Sequence, residues 1–264
     1  MLGVMAAVAW DTVESGSPSA ERTALLLPGG MCSARSYAEV MAEPALAGLR
    51  LVAATLPGHA GAPPPEDFST EAYARITAEL AKSVKADVVV GFSMGAMVAY
   101  EMAVCGAFSG PVVLLGSSFS VQDEPAAFRA LIRLGSVLGS LPASALKKGA
   151  AAMVKKAELP PDRKAALKAD FARNEARDMR QGLHEYLIWL KRDDGRARRL
   201  CQAGRPAWVV HAEKGDGGLT PHEREVLDGC AQVRVVTLPG EVFFLPNEAS
   251  PAIADVFLAA IAAC

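Results

Sequence analysis

Histidine is scarce in this chain, as are paired cysteines and long apolar runs. The 264 residues contain four histidines, and none lies beyond His222. No H-E-x-x-H pair or other metal-ligand spacing occurs, so the sequence asks for no metal and no other cofactor. Five cysteines, at positions 32, 105, 201, 230 and 264, form no C-x-x-C pair. An odd, scattered set is expected to stay reduced, which points to a cytoplasmic protein. No stretch approaches the roughly 18 uncharged apolar residues of a membrane span. The apolar segment from Met1 to Trp10 has no basic start and no following cleavage pattern, so a signal peptide is not expected. A net charge of −2 with interspersed signs excludes the basic footprint of a nucleic-acid binder. Internal repeats are absent.

What is present is an apolar chain, 51% hydrophobic, long enough for one α/β domain with an insertion. Short β-branched or apolar runs alternate with helical patterns. Strands are expected over 3–14, 24–27, 50–56, 88–92, 111–115, 206–211 and 233–238. A helix capped by Thr70 shows the face Tyr73, Ile76, Leu80 and Val84. From 119 to 200 no strand pattern is convincing. Helical segments are expected over 126–138 and 143–157, with a longer one running on from Pro161. This divides the chain into a core domain, 1–118 with 201–264, and a helical cap inserted at 119–200. Strands alternating with helices predict a mostly parallel sheet covered on both faces, with ligands bound at the carboxyl ends of the strands.

The densest signal is Val88-Val89-Val90-Gly91-Phe92-Ser93-Met94-Gly95, followed at once by an apolar helical run. A Gly-x-Ser-x-Gly turn between a strand and a helix lifts a serine hydroxyl above the sheet at a helix N-terminus. Two further turns end strands: Leu27-Pro28-Gly29-Gly30 and Leu56-Pro57-Gly58-His59-Ala60-Gly61. Taken in order, these motifs resemble the α/β-hydrolase superfamily over nearly the whole chain. The resemblance implies a serine hydrolase with Ser93 as nucleophile. It implies an oxyanion hole from the N–H of Met94 and that of Gly30 or Met31, and a lid from the helical insertion. It also implies a small acyl or ester-like ligand, with no nucleic-acid or membrane partner.

The same resemblance exposes two departures. The family's acid lies in a G-x-x-D turn after the strand that ends at His211, and here that count lands on Gly215. Asp216, one residue on, is the candidate acid, with Asp123 after the preceding strand as the alternative. The family's histidine follows the last strand, and Phe243 occupies its place within Pro239-Gly240-Glu241-Val242-Phe243-Phe244-Leu245-Pro246-Asn247-Glu248. His59 borders the expected pocket, His184 lies on a cap helix, and His222 starts the helix after the Asp216 loop. Any of these, or Glu241, is a substitute base to be tested by geometry. His211 falls in a buried strand. Phe92 and Phe243, with His59, are expected to line the pocket, and Cys32 is expected to be a small buried thiol. General-base help is worth about 10² to 10⁴ in rate. Two readings therefore stand: an atypical hydrolase of ester, thioester or lactone type, and a binding protein on a hydrolase scaffold.

Overall fold

The computed structural model describes residues 8–124, 126, 128–130, 143–192, 195–215 and 218–264. Most of the expected 126–138 helix, the start of the 3–14 strand and the candidate acid Asp216 lie outside the described residues. Seven strands form one sheet: β1 Thr12–Ser15, β2 Thr23–Leu27, β3 Arg50–Ala54, β4 Val88–Phe92, β5 Val112–Leu115, β6 Ala207–Lys214 and β7 Val233–Glu241. Their order is β1-β3-β2-β4-β5-β6-β7. Only β1 runs antiparallel to its neighbour; the other pairs are parallel.

The sequence of each strand explains its place. β4 and β5 are apolar throughout, β2 is apolar after Thr23, and all three are wholly buried, as strands covered on both faces must be. β1, Thr-Val-Glu-Ser, never becomes buried and closes one edge. Successive side chains alternate between two apolar layers. Ala24, Leu26, Val88 and Val90 face one core cluster together with Val40, Ile253 and Phe257. Leu25, Leu27 and Val89 face the other, which includes Tyr73, Leu80, Met97 and Tyr100.

The flanking helices are α1 Ala38–Met41, α2 Thr70–Val84, α3 Met94–Val104, α4 Ala143–Lys156, α5 Pro161–Arg173, α6 Ala176–Arg192, α7 Arg196–Gln202, α8 Pro221–Asp228, α9 Leu245–Glu248 and α10 Ser250–Ile261. The N-cap of α2 is Ser69, whose side chain accepts the Ala72 N–H, so Thr70 is the first helical residue rather than the cap. The single long helix expected from Pro161 is two helices. Asn174 adopts an extended backbone, and its side-chain NH₂ donates back to the Asp170 carbonyl of the last turn (2.8 Å), which ends α5.

Helices α4 to α7 all lie between β5 and β6 in the chain, and α6 and α7 are pinned to α3. Tyr100 packs its ring 5.6 Å from Phe119 and 5.7 Å from Trp189. The guanidinium of Arg196, 1% exposed, lies 4.0 Å above the Trp189 ring. It donates to the carbonyls of Phe119 (2.9 Å) and Trp189. A buried cation is tolerable only with such partners. Cys201 and Cys230 form a disulfide between the end of α7 and the residues after α8, with a Cα–Cα distance of 5.7 Å. This corrects the expectation of five free thiols, and the cytoplasmic placement loses that support. Cys32, Cys105 and Cys264 are free. No described helix is long and apolar enough to cross a membrane.

Candidate active site

Ser93 joins β4 to α3 at φ 51° and ψ −111°, a conformation that L-residues rarely adopt. The turn closes only because both flanking residues are glycine. A Cβ on Gly91 would lie 2.1 Å from the Gly95 carbonyl oxygen, and one on Gly95 would lie 2.2 Å from that of Leu27. The strain at Ser93 is of order 1–3 kcal/mol. It is held by the Ser93 N–H donating to the Leu115 carbonyl (2.8 Å) and by the Ser93 carbonyl accepting from Met97 N–H (3.1 Å). The side chain is left exposed at the carboxyl edge of the sheet.

The loop after β2 lies directly against this turn. A Cβ on Gly29 would meet the Phe92 ring at 3.0 Å and the Ser93 Cβ at 3.5 Å, and one on Gly30 would meet the Met94 Sδ at 3.6 Å. Gly30 N–H has no protein acceptor among the described residues. Met94 N–H opens α3, where backbone donors have no partner within the helix. Met31 is different. Its N–H donates to His59 Nδ1 at 3.0 Å, so of the two expected loop donors the geometry leaves Gly30 available.

Three described non-glycine residues at this edge have positive φ: Met31 (70°), Ala60 (48°) and Ser93. The first two are stitched together by Asn174, which is 3% exposed. Its amide oxygen accepts the Ala60 N–H (3.0 Å), and its NH₂ donates to the Met31 carbonyl (2.9 Å). One turn earlier on α5, the Asp170 carboxylate accepts from Ser33 N–H (2.9 Å) and from Ser33 Oγ (2.6 Å). The end of α5 therefore grips the glycine loop through buried hydrogen bonds. Neither Asp170 nor Asn174 was singled out by the sequence. Each sits in an ordinary helical pattern, and its partners in the loops are more than 100 residues away.

The expected acid and base groups fall in separate places. His184 and His222 are exposed on α6 and α8. His211 is buried in β6. His59 is buried, and burial pushes its imidazole down to about 4. Because Nδ1 accepts the Met31 N–H, the neutral ring carries its proton on Nε2. A base at Nε2 would need the opposite tautomer, which would set two N–H groups against each other. His59 is therefore not the substitute base. Glu241 is exposed. Asp123 is buried in the loop after β5 and accepts from Phe119 N–H (2.7 Å), Ser120 N–H (2.8 Å) and Thr220 N–H (3.1 Å). Burial first, and its contact with Glu223 second, raise its carboxyl to about 7. These bonds tie the β5 loop to the capping box of α8 and engage no histidine among the described residues. Next to it, the buried Glu124 carboxylate accepts from the phenol of Tyr186 on α6, and burial raises its pKa.

Phe243 is half-buried in a turn organised by Glu248. That carboxylate accepts the N–H groups of Phe243 (2.8 Å), Phe244 (2.6 Å) and Glu158 (2.8 Å). Lys156 Nζ lies 5.9 Å above the Phe243 ring. Phe244, fully in the core, packs 6.4 Å from Phe92, itself 8% exposed. The Glu248 carboxylate thus closes the turn that begins at Phe243. Cys32 is buried and its thiol is pushed up to about 12, which makes it inert as a nucleophile. Among the described residues, no cluster of three or more His, Cys, Asp or Glu side chains could hold a metal ion.

An elbow serine after a central strand, a glycine loop packed against it and a mostly parallel sheet define the class of the molecule. A family model described as "Alpha/beta hydrolase family" matches residues 24–252. The chain belongs to the alpha/beta hydrolase family. Solved structures agree with this fold. Cfl2 from Burkholderia cenocepacia is 22% identical, with 96% of this chain and 92% of that one covered and a TM-score of 0.71. A thermophilic esterase from Thermogutta terrifontis is 16% identical, covered 96% and 92%, with a TM-score of 0.71. The thioesterase domain from the curacin biosynthetic pathway is 20% identical, covered 96% and 100%, with a TM-score of 0.65. None of the curated proteins matches.

Proposed function

We propose that this protein is a small-molecule serine hydrolase acting on an ester, thioester or lactone carbonyl. Ser93 is the nucleophile, and the N–H groups of Met94 and Gly30 are the oxyanion donors. The observation that carries this reading is the exposed Ser93 at φ 51°, at the head of α3 and against the Gly29–Gly30 loop. Attack by Ser93 Oγ on the carbonyl carbon places the developing negative charge at the N-terminus of a helix, beside two backbone donors. Such donors are worth roughly 3 kcal/mol each in the transition state. The helices between β5 and β6 act as a cap, anchored at the site by Asp170 and Asn174. The esterase and thioesterase among the structural neighbours support the reaction class.

On this reading the Ser93 proton lacks the family's imidazole acceptor, because Phe243 stands where the resemblance places the histidine. Turnover is therefore slow, by about the 10² to 10⁴ that general-base catalysis supplies. Asp216 keeps its candidacy as the acid from its sequence position alone. The same Phe243 favours a second reading, a binding protein that holds an acyl ligand at Ser93 without turning it over. Hydrolysis of p-nitrophenyl butyrate separates the two. The hydrolase reading expects a slow rate in the intact protein that falls at least tenfold in Ser93→Ala. Equal rates in both proteins refute it. Stoichiometric labelling of Ser93 by a fluorophosphonate would remove the binding-only reading, since labelling requires an activated hydroxyl.

A further inference from the structure

The segment from Gly29 to Cys32 is a tight turn, and its closure decides where the Gly30 N–H points. Cys32 N–H donates to the Gly29 carbonyl at 3.1 Å. The Gly29 carbonyl and the Gly30 N–H belong to one trans peptide plane and point in opposite directions. With the carbonyl turned in toward Cys32, the Gly30 N–H is turned out of the turn. This peptide lies beside the nucleophile, since a Cβ on Gly29 would sit 3.5 Å from the Ser93 Cβ.

The turn closes in a conformation that its own residues do not favour. Met31, not Gly30, carries the positive φ, 70°. That is the third position of a type II turn, which glycine ordinarily fills. A residue with a Cβ keeps such a backbone only where its surroundings over-determine it. Both polar backbone groups of Met31 are held. Its N–H donates to His59 Nδ1 (3.0 Å), and its carbonyl accepts from the Asn174 NH₂ (2.9 Å). Burial keeps the His59 ring neutral, so Nδ1 stays an acceptor. The two partners are also tied to each other, because the Asn174 amide oxygen accepts the N–H of Ala60, the residue after His59 (3.0 Å). Both side chains are buried, so water does not compete for these bonds. The loop after β2, the loop after β3 and the end of α5 therefore meet at Met31.

We propose that His59 and Asn174 are positioning residues for the oxyanion hole. By clamping both polar backbone groups of Met31 they hold the Gly29–Cys32 turn closed, and so aim the Gly30 N–H at the charge that develops beside Ser93. Neither side chain touches the acyl group or takes a proton. Asn174 follows α5, in the segment between β5 and β6, so this donor depends on the docking of that helix against the glycine loop. The inference rests on the reading of Gly30 as an oxyanion donor.

The test uses ¹⁵N-labelled full-length protein and its His59→Leu, His59→Asn and Asn174→Ala variants. In the unaltered protein without substrate, a coupling across the hydrogen bond should link the Met31 nitrogen to His59 Nδ1. The residual dipolar coupling of the Gly30 amide should change in His59→Leu and Asn174→Ala, while that of Met94 holds. His59→Asn, whose amide oxygen can take the place of Nδ1, should leave the Gly30 value near that of the unaltered protein. Losing an oxyanion donor outright costs about 10² to 10³ in kcat, so a donor left unaimed should cost about tenfold or more. That loss is expected in His59→Leu and Asn174→Ala with p-nitrophenyl butyrate, as kcat per folded molecule, with KM within about twofold. His59→Asn should recover kcat to within about threefold of the unaltered protein. A Gly30 coupling unmoved in both disruptive variants overturns the proposal, as does a raised KM with kcat retained. So does His59→Asn as impaired as His59→Leu. A missing Met31–His59 coupling overturns it in the unaltered protein, so the proposal stays falsifiable even if His59→Leu does not fold. An unaltered protein without Ser93-dependent hydrolysis sinks the hydrolase reading alone, because the Gly30 couplings are read without substrate and still decide the positioning.

Discussion

At the scale of single residues, the elbow depends on atoms that are missing. Gly95 is wedged against the Leu27 carbonyl, a backbone atom that cannot swing aside. Gly95→Ala should therefore cost more than about 4 kcal/mol, the range reserved for severe overpacking, and chemical denaturation or loss of soluble protein will register it. Gly149→Ala is the matched control. That exposed helical position has nothing within 4 Å, so the same methyl should stabilise the fold by about 0.5–1 kcal/mol. The two glycines of Gly-x-Ser-x-Gly were legible in the sequence because steric exclusion acts over a few neighbouring residues. The tautomer of His59 was not, since it is set by a backbone N–H 28 positions away.

At the scale of elements, the contact between α5 and the glycine loop decides how rigid the site is. Asn174 ends the helix and bridges two strained turns, so it links a segment between β5 and β6 to the loops after β2 and β3. Asn174→Ala would strand the Ala60 N–H and the Met31 carbonyl in a buried place. A loss of about 3 kcal/mol is expected in urea unfolding, with faster exchange of the Ala60 amide. Exchange as slow as in the unaltered protein would show that the clamp is dispensable. The pattern from Pro161 onward predicted one helix because apolar periodicity does not register the two-residue break at Asn174 and Glu175. Asn174 bonds back to the Asp170 carbonyl of its own helix as well as to the distant Ala60 and Met31, and periodicity records neither kind of bond.

For the whole molecule, stability should carry an acid–base signature from two buried groups with opposite signs. The folded state holds His59 near 4, below the ordinary 6.5, so the unfolded chain takes up a proton first as the pH falls. Stability from His59 is present above 6.5 and lost as the pH falls through about 4. Asp123 behaves in reverse. Its carboxyl is raised to about 7, so the folded state keeps a proton that the unfolded chain releases near 4. That contribution is full below 4 and lost as the pH rises through about 7. Glu223→Gln preserves the capping box while removing one carboxyl from the pair. It should reduce the stability lost between pH 5 and pH 8, read as urea midpoints. A full loss persisting in the variant would show that another group governs that window.

The sequence by itself determined the fold and the position of the elbow. Apolar strand runs, helical periodicity and glycine turns are local signals, and the order of elements in a parallel α/β sheet leaves few arrangements for them. The turn from Phe243 to Glu248, where the resemblance places a histidine, was legible in the same way. The tertiary structure alone decided which groups meet. It paired Met31 with His59, engaged Asp123 with three backbone donors and Glu223, and joined Cys201 to Cys230. It also brought Asn174 and Asp170 onto the glycine loop. Proton positions, thiol pairing and buried clamps depend on partners far along the chain, and a single sequence does not encode those distances in any local pattern.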